Sequence, residues 1–306
     1  MNVGLILLTQ IAIMFLLIGI GFLLFKARFV TQQGSKELGN ILLYVIMPSI
    51  ILKSLMAEGT IERLEEFKIA CLISFLVLLL SMIIARIIFG KKNKIEHFGS
   101  AFSNAGFIGI PLAQATLGNE AVLYVTPFVV MLNLLQWTYG VAVMTDDLKV
   151  IGVKQLVKNP VVLSMVAGVV VMLARIPVPH ILLKTISYAS EMNAPLAMIV
   201  IGAYLAQVNF KEIFKKKTVR TSSIVRLVVI PFMTILLLYL VPAQYSEMKI
   251  AILIVASAPI GSNVAVFAQK NGLDYAESVK EVYVSTVLSI ITLPIIVMIG
   301  GFLWLQ

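Results

Sequence analysis

The chain has 306 residues, of which 60% are apolar and 13% charged, with a formal net charge of +9 and one cysteine. A soluble domain carries about 45–50% apolar and about 25% charged residues, so this composition excludes an ordinary water-soluble fold. The charges sit in short clusters between apolar runs of roughly 18–25 residues, long enough to cross about 30 Å of hydrocarbon as helix, whereas the ten-residue alternation of roughly barrel-type strands is not seen.

In chain order the runs predict an all-α polytopic membrane protein of ten transmembrane helices, at about 4–25, 38–56, 67–89, 98–117, 120–144, 156–174, 181–206, 221–241, 248–270 and 279–304. The first has no basic leader and reads as a retained helix, not a signal peptide. The second carries Pro48 near its middle and Asn40 near its start. Cys71 in the third is alone, so no disulfide forms within one chain. The fourth is interrupted by FSNAGFIGIPLAQ, which sets Asn104, Gly106, Gly109 and Pro111 in hydrocarbon. The fifth holds Asn133, Gln136 and Tyr139, and the seventh holds Glu191, Asn193 and Pro195. In the eighth, Arg226 lies about five residues from the cytoplasmic end and is expected to snorkel to the interface. The ninth is interrupted by ASAPIGSNVAVFAQ, with Pro259, Gly261, Ser262 and Asn263.

Charge gives the orientation. The loops after odd-numbered spans hold 17 of the 24 Lys and Arg, and those after even-numbered spans hold 6. The positive-inside rule makes the odd loops cytoplasmic and places both termini outside. The basic balance is therefore a topology signal, with no nucleic-acid partner expected. The cluster Lys211, Lys215, Lys216, Lys217 and Arg220 is placed to meet anionic lipid heads.

Spans 1–5 (residues 1–150) and 6–10 (151–306) share a plan. Ser103–Gly118 and Ser257–Gly272 stand at a constant offset of 154. Five spans is an odd number, so the second half enters the membrane from the other side. That is an inverted-topology repeat, with a site expected near the midplane where the halves meet. Interrupted helices leave free N–H groups at one half-helix start, where partial positive charge favours an anion such as a carboxylate. Asn104 and Asn263 add amide donors and acceptors, Ser103, Ser257 and Ser262 add hydroxyls, and Gly106, Gly109 and Gly261 permit close approach. Glu191, about ten residues into span 7, is the one carboxylate expected at depth, where a charge costs at least about 2.5–3.5 kcal/mol. It is the candidate coupling or pocket carboxylate. Asn40, Pro48, Asn133 and Gln136 are candidate cavity-lining residues, each of which as readily bonds a neighbouring helix.

No phosphate-binding loop, zinc-protease motif or nucleophile elbow occurs, and His97 and His180 fall near opposite faces. No enzyme activity, metal or cofactor is expected.

Along nearly its whole length the sequence resembles the auxin efflux carrier family of membrane transport proteins. SNAGFIGIPL at Ser103–Leu112 is similar to the family's span-4 break, and APIGSNVAVFA at Ala258–Ala268 to its span-9 break. SEMNAPLAMIVIGAYLA at Ser190–Ala206 and YVIMPS at Tyr44–Ser49 resemble its span-7 and span-2 patterns. The resemblance implies ten helices in two inverted five-helix repeats with crossed helices 4 and 9. It implies a scaffold of spans 1, 2, 6 and 7, a transport part of spans 3–5 and 8–10, homodimers and an elevator-like cycle. Carried over by position, Asn104 and the Pro111 and Pro259 breaks would contact a substrate carboxylate, and Glu191 would lie near the pocket; the residues of the interrupted spans add Gly106, Asn193, Ser262 and Asn263 as candidate substrate-binding residues. The loop at 145–158 is short and Asn263 stands where plant members are apolar. A bacterial-type carrier of small organic anions, malate- or malonate-like rather than auxin-like, in the bacterial inner (plasma) membrane is therefore expected. The alternatives are a sodium-coupled carrier like the bile-acid symporters or cation/proton antiporters, a non-transporting sensor, and a channel.

Overall fold

The structure, a computed structural model, describes residues 3–57, 63–146, 159–207 and 217–304. Most of the 145–158 loop and most of the Lys211–Lys217 cluster lie outside these ranges. The described residues are helical, with one isolated β-bridge. The helices are α1 (Val3–Lys26), α2 (Gln32–Leu55), α3 (Leu64–Phe89), α4 (Lys94–Ala101), α5 (Ala105–Leu117), α6 (Ala121–Thr145), α7 (Pro160–Ala174), α8 (His180–Glu191), α9 (Asn193–Leu205), α10 (Thr218–Tyr239), α11 (Ser246–Ser257), α12 (Asn263–Lys270) and α13 (Tyr275–Trp304). Five of them, α2, α3, α6, α10 and α13, are each long and apolar enough to cross a membrane. The interrupted runs appear as the helix pairs α4–α5 and α11–α12, and the seventh run divides at Met192 into α8 and α9.

Proline does not break α2. The helix widens into a π turn at Leu42–Ile46 and continues through Pro48. The same arrangement recurs at Ala105–Gly109 before Pro111 and at Val225–Val229 before Pro231. Proline cannot donate to the carbonyl four residues back and its ring crowds that carbonyl. A wider turn just before it moves the carbonyl aside at the cost of one extra residue per turn.

Two groups of helices pack chiefly among themselves. One is α1, α2, α7, α8 and α9, and the other is α3–α6 with α10–α13. The broadest single contact is α1 on α9. Gly21 of α1 and Gly202 of α9 make it possible, because a Cβ on Gly21 would strike the Ile199 carbonyl and one on Gly202 would strike the backbone of Ile18 and Phe22. Small residues that bring backbones together are a principal means of association where both surroundings and surface are apolar. Gly202→Val is expected to destabilise the protein by about 1–3 kcal/mol through overpacking, read as a lowered unfolding midpoint in detergent. A midpoint unchanged from wild type would show that α1 and α9 are not held this closely.

A crossing of two broken helices as the candidate functional site

α4 stops at Ala101, and Phe102 is extended at φ −119° and ψ 115°. α11 stops at Ser257, and Ala258 turns extended at ψ 150°, as steric contact with the ring of Pro259 demands. The two short extended pieces run antiparallel and meet at Ser103 and Ile260. Asn104 N–H donates to the Pro259 carbonyl at 2.7 Å, and Gly261 N–H donates to the Phe102 carbonyl at 3.1 Å. Each break thus satisfies the peptide groups that the other exposes. Side chains complete the work: Ser103 Oγ donates to the Val255 carbonyl at 2.8 Å, and Ile260 N–H donates to Ser285 Oγ at 3.1 Å. A Cβ on Gly261 would lie 3.1 Å from the Ser103 carbonyl, and one on Gly109 would lie 2.9 Å from Val255 Cγ1. The crossing therefore leaves little space for side chains at those two places.

On the far side of each break a helix begins. The first intrahelical bonds of α5 are Ile108 N–H and Gly109 N–H to the Asn104 carbonyl. The amides of residues 105–107 precede them and have no intrahelical acceptor. In α12 the first is Val264 N–H to the Gly261 carbonyl, which leaves the amides of Ser262 and Asn263. Two helix starts, each with partial positive charge, thus flank the crossing.

Next to it lies a cavity of about 610 Å³, within the usual size range of small-molecule sites. Asn104, Ser262 and Asn263 contribute to its lining from the breaks, and Asn40 lines it from α2. The other walls are the start of α2, the end of α9, α12 and the first turns of α13, so the cavity separates the two packing groups. The Asn104 side chain has no hydrogen-bond partner among the described residues and faces this space. Asn263 Nδ2 donates to Gln136 Oε1 at 2.9 Å, which fixes the amide from behind.

Several expected residues lie elsewhere. Gly106, Pro111 and Pro259 shape the breaks without lining the cavity, and Met47 fills the space beside Gly106. Ser103 and Ser257 are buried in the packing of the crossing. Pro48, Asn133 and Gln136 do not line the cavity, and Asn133 Nδ2 donates to its own helix at the Val129 carbonyl, 2.8 Å away. Asn193 is buried at the start of α9, away from the cavity. Glu191 corrects the expectation of a pocket carboxylate. Its side chain is 62% exposed and pairs with Lys53 at 3.2 Å, while Ser187 Oγ donates to it at 2.9 Å. It sits on an outward face of α8, because depth along a helix does not fix the side to which a residue points. Arg226 reverses its expectation too: it is 1% exposed and donates through Nη1 to the Ser100 carbonyl at 3.1 Å, so it does not snorkel.

Sequence reasoning missed Lys36 and Lys280, the charged residues that line the cavity, along with Tyr204, Gln207 and Gln269. In the sequence both lysines count among the loop charges that set topology. No local signal in the sequence marks either: Lys280 stands in the helix that follows the Asn263 break, and Lys36 is near neither break.

An all-helical chain with several membrane-crossing helices and a cavity at two paired breaks has the form of a membrane carrier. The model of the family described as membrane transport protein matches residues 6–153 and 144–297, and the chain belongs to that family. It is similar to an uncharacterized transporter of Methanocaldococcus jannaschii, 24% identical over 300 residues covering 93% of this chain and 96% of that protein. It is similar to a Rhizobium meliloti protein named "Putative malonate transporter", 26% identical over 293 residues and 90% of each chain. An uncharacterized transporter of Methanothermobacter thermautotrophicus is 24% identical over 293 residues, 91% of this chain and 93% of that one. The protein is thus a multi-pass membrane transporter.

Two variants separate the roles given to these residues. Asn263→Ala removes the acceptor's partner at Gln136, which is buried, and is expected to cost about 1–3 kcal/mol of stability in a detergent unfolding assay. Glu191→Gln breaks an exposed pair and is expected to cost less than about 1 kcal/mol in the same assay. A ranking in the opposite order would contradict both placements.

Proposed function

We propose that this transporter carries small organic anions, with dicarboxylates of malonate size as the best-fitting class, by alternating access at the crossing. The observation that carries the reading is the electrostatics of the cavity. Two helix starts with Asn104, Ser262 and Asn263 lie at one place in its wall, and the charged residues lining it, Lys36 and Lys280, are both lysines. No carboxylate lines it among the described residues. Helix N-termini and amides accept one carboxylate group by hydrogen bonds from N–H. A lysine supplies a point charge for a second. The name of the Rhizobium meliloti relative agrees with this class.

The packing groups support a division of labour. α1, α2 and α7–α9 would form the scaffold, and α3–α6 with α10–α13 the moving part that carries both breaks. Lys36 belongs to the first group and Lys280 to the second, so a bound dianion would draw the two walls together. In this reading residues 1–150 and 151–306 are inverted five-helix repeats, supported by the corresponding places of the two breaks, Ser103–Gly118 and Ser257–Gly272. The cavity is lined by Gln32, Lys36, Gln207 and Lys280, at helix ends next to the odd-numbered loops, which the positive-inside rule would make cytoplasmic, with both termini outside. The bacterial plasma membrane and a homodimeric state belong to the same proposal.

Uptake of labelled malonate, malate, acetate and indole-3-acetate into proteoliposomes tests it. Asn104→Ala is expected to weaken uptake of every transported acid by about 10- to 100-fold in apparent affinity, the loss of a hydrogen bond to a charged group. The double variant Lys36→Ala/Lys280→Ala is expected to weaken dicarboxylates by a similar factor and monocarboxylates little. Wild-type uptake of all the acids by Asn104→Ala at normal protein level would overturn the site assignment. Equal losses for mono- and dicarboxylates in the lysine variant would overturn the dicarboxylate preference.

A further inference from the structure

Behind the crossing, two charged side chains that do not line the cavity converge on the last turn of α4. Arg226, in the π turn of α10, donates through Nη1 to the Ser100 carbonyl at 3.1 Å. Glu281 of α13 is 0% exposed, and a Cβ on Gly99 would lie 2.6 Å from its Oε2. The carboxylate therefore lies against the α4 backbone one residue before the carbonyl that Arg226 holds. One turn along α13, Ser285 accepts the Ile260 N–H of the other break. The same helix that brings the carboxylate thus buttresses both halves of the crossing.

Ser100 carries one of the last four carbonyls of α4, which have no intrahelical donor. Their dipoles add to about half a negative charge at the end of the helix. In an apolar surrounding that end requires a positive partner. Arg226 supplies it from full burial, although Nε and Nη2 find no partner among the described residues. Burying a guanidinium is costly, so a residue placed to saturate its own hydrogen bonds would not be found in this arrangement. What the guanidinium meets is the negative end of a broken helix and a region that also holds a buried carboxylate.

We propose that Arg226 is the resident cation of the crossing: tethered by its own chain, it neutralises the carbonyl end of α4 beside Glu281 and takes the place of a soluble cation there. The sodium-coupled alternative needs an ion to do this work at the broken helices. The inference does not depend on what the cavity carries, so its test uses no substrate.

The full-length protein in detergent is unfolded thermally in sodium chloride and in choline chloride at equal ionic strength. Wild type and Arg226→Lys are expected to unfold at the same midpoint in both salts. Arg226→Ser is expected to unfold lower, with a saturable recovery of about 2–4 °C on adding sodium or dilute guanidinium. That recovery is expected to vanish in Arg226→Ser/Glu281→Gln, which a merely space-filling arginine would not predict. Saturable stabilisation of wild type by sodium overturns the proposal, as does a folded Arg226→Ser that responds to neither ion. If Arg226→Ser does not fold, Arg226→Lys is compared with Arg226→Gln. Lysine holding the higher midpoint supports a charge role, and an equal or reversed order overturns it.

Discussion

A peptide group without a hydrogen-bond partner is very costly in hydrocarbon, and the whole arrangement follows from meeting that demand at two interrupted helices at once. Neither break is tolerable alone. Asn104 N–H needs the Pro259 carbonyl, Gly261 N–H needs the Phe102 carbonyl, and Ser103 and Ser285 take up the groups left over. Antiparallel pairing of two extended pieces does this without water. It also brings two helix starts together, so the solution to a folding problem creates a concentrated set of N–H donors next to a cavity.

The charges of the bundle fall into distinct environments with distinct consequences. Lys36 and Lys280 line the cavity and remain available to a ligand. Arg226 and Glu281 are sealed behind the breaks and act on the backbone. Lys53 and Glu191 pair with each other on the exposed side of α2 and α8, away from the cavity. Composition does not separate these six; the direction of each side chain does.

The breaks were legible in the sequence because Asn, Gly and Pro cluster inside an apolar run at corresponding places in both halves, and both fall where the clusters stand. The all-helical class was legible through length and hydropathy, and five of the described helices are long and apolar enough to cross a membrane. Facing was not. The depth of Glu191 predicts a pocket residue, yet its side chain is exposed, and the place of Arg226 near a helix end predicts snorkelling, yet it is enclosed. A π turn at Val225–Val229 inserts an extra residue and turns the helix by roughly a third of a revolution relative to an ideal wheel, so a regular period cannot predict the face of Arg226. The cavity lysines were hidden for a different reason. Residues at helix starts near a membrane surface are abundant, and nothing local marks the two that a distant pair of breaks turns toward the same space.

Met47 offers one more reading of the seam between the two packing groups. It belongs to α2, in one group, and its terminal methyl occupies the hollow that the missing side chain of Gly106 leaves in α5, in the other. A thioether chain is unbranched and bends at several bonds, so it can leave such a hollow and re-enter it without disturbing either backbone. The seam at this depth is thus closed by a removable peg, whereas a β-branched side chain in the same hollow would act as a rivet.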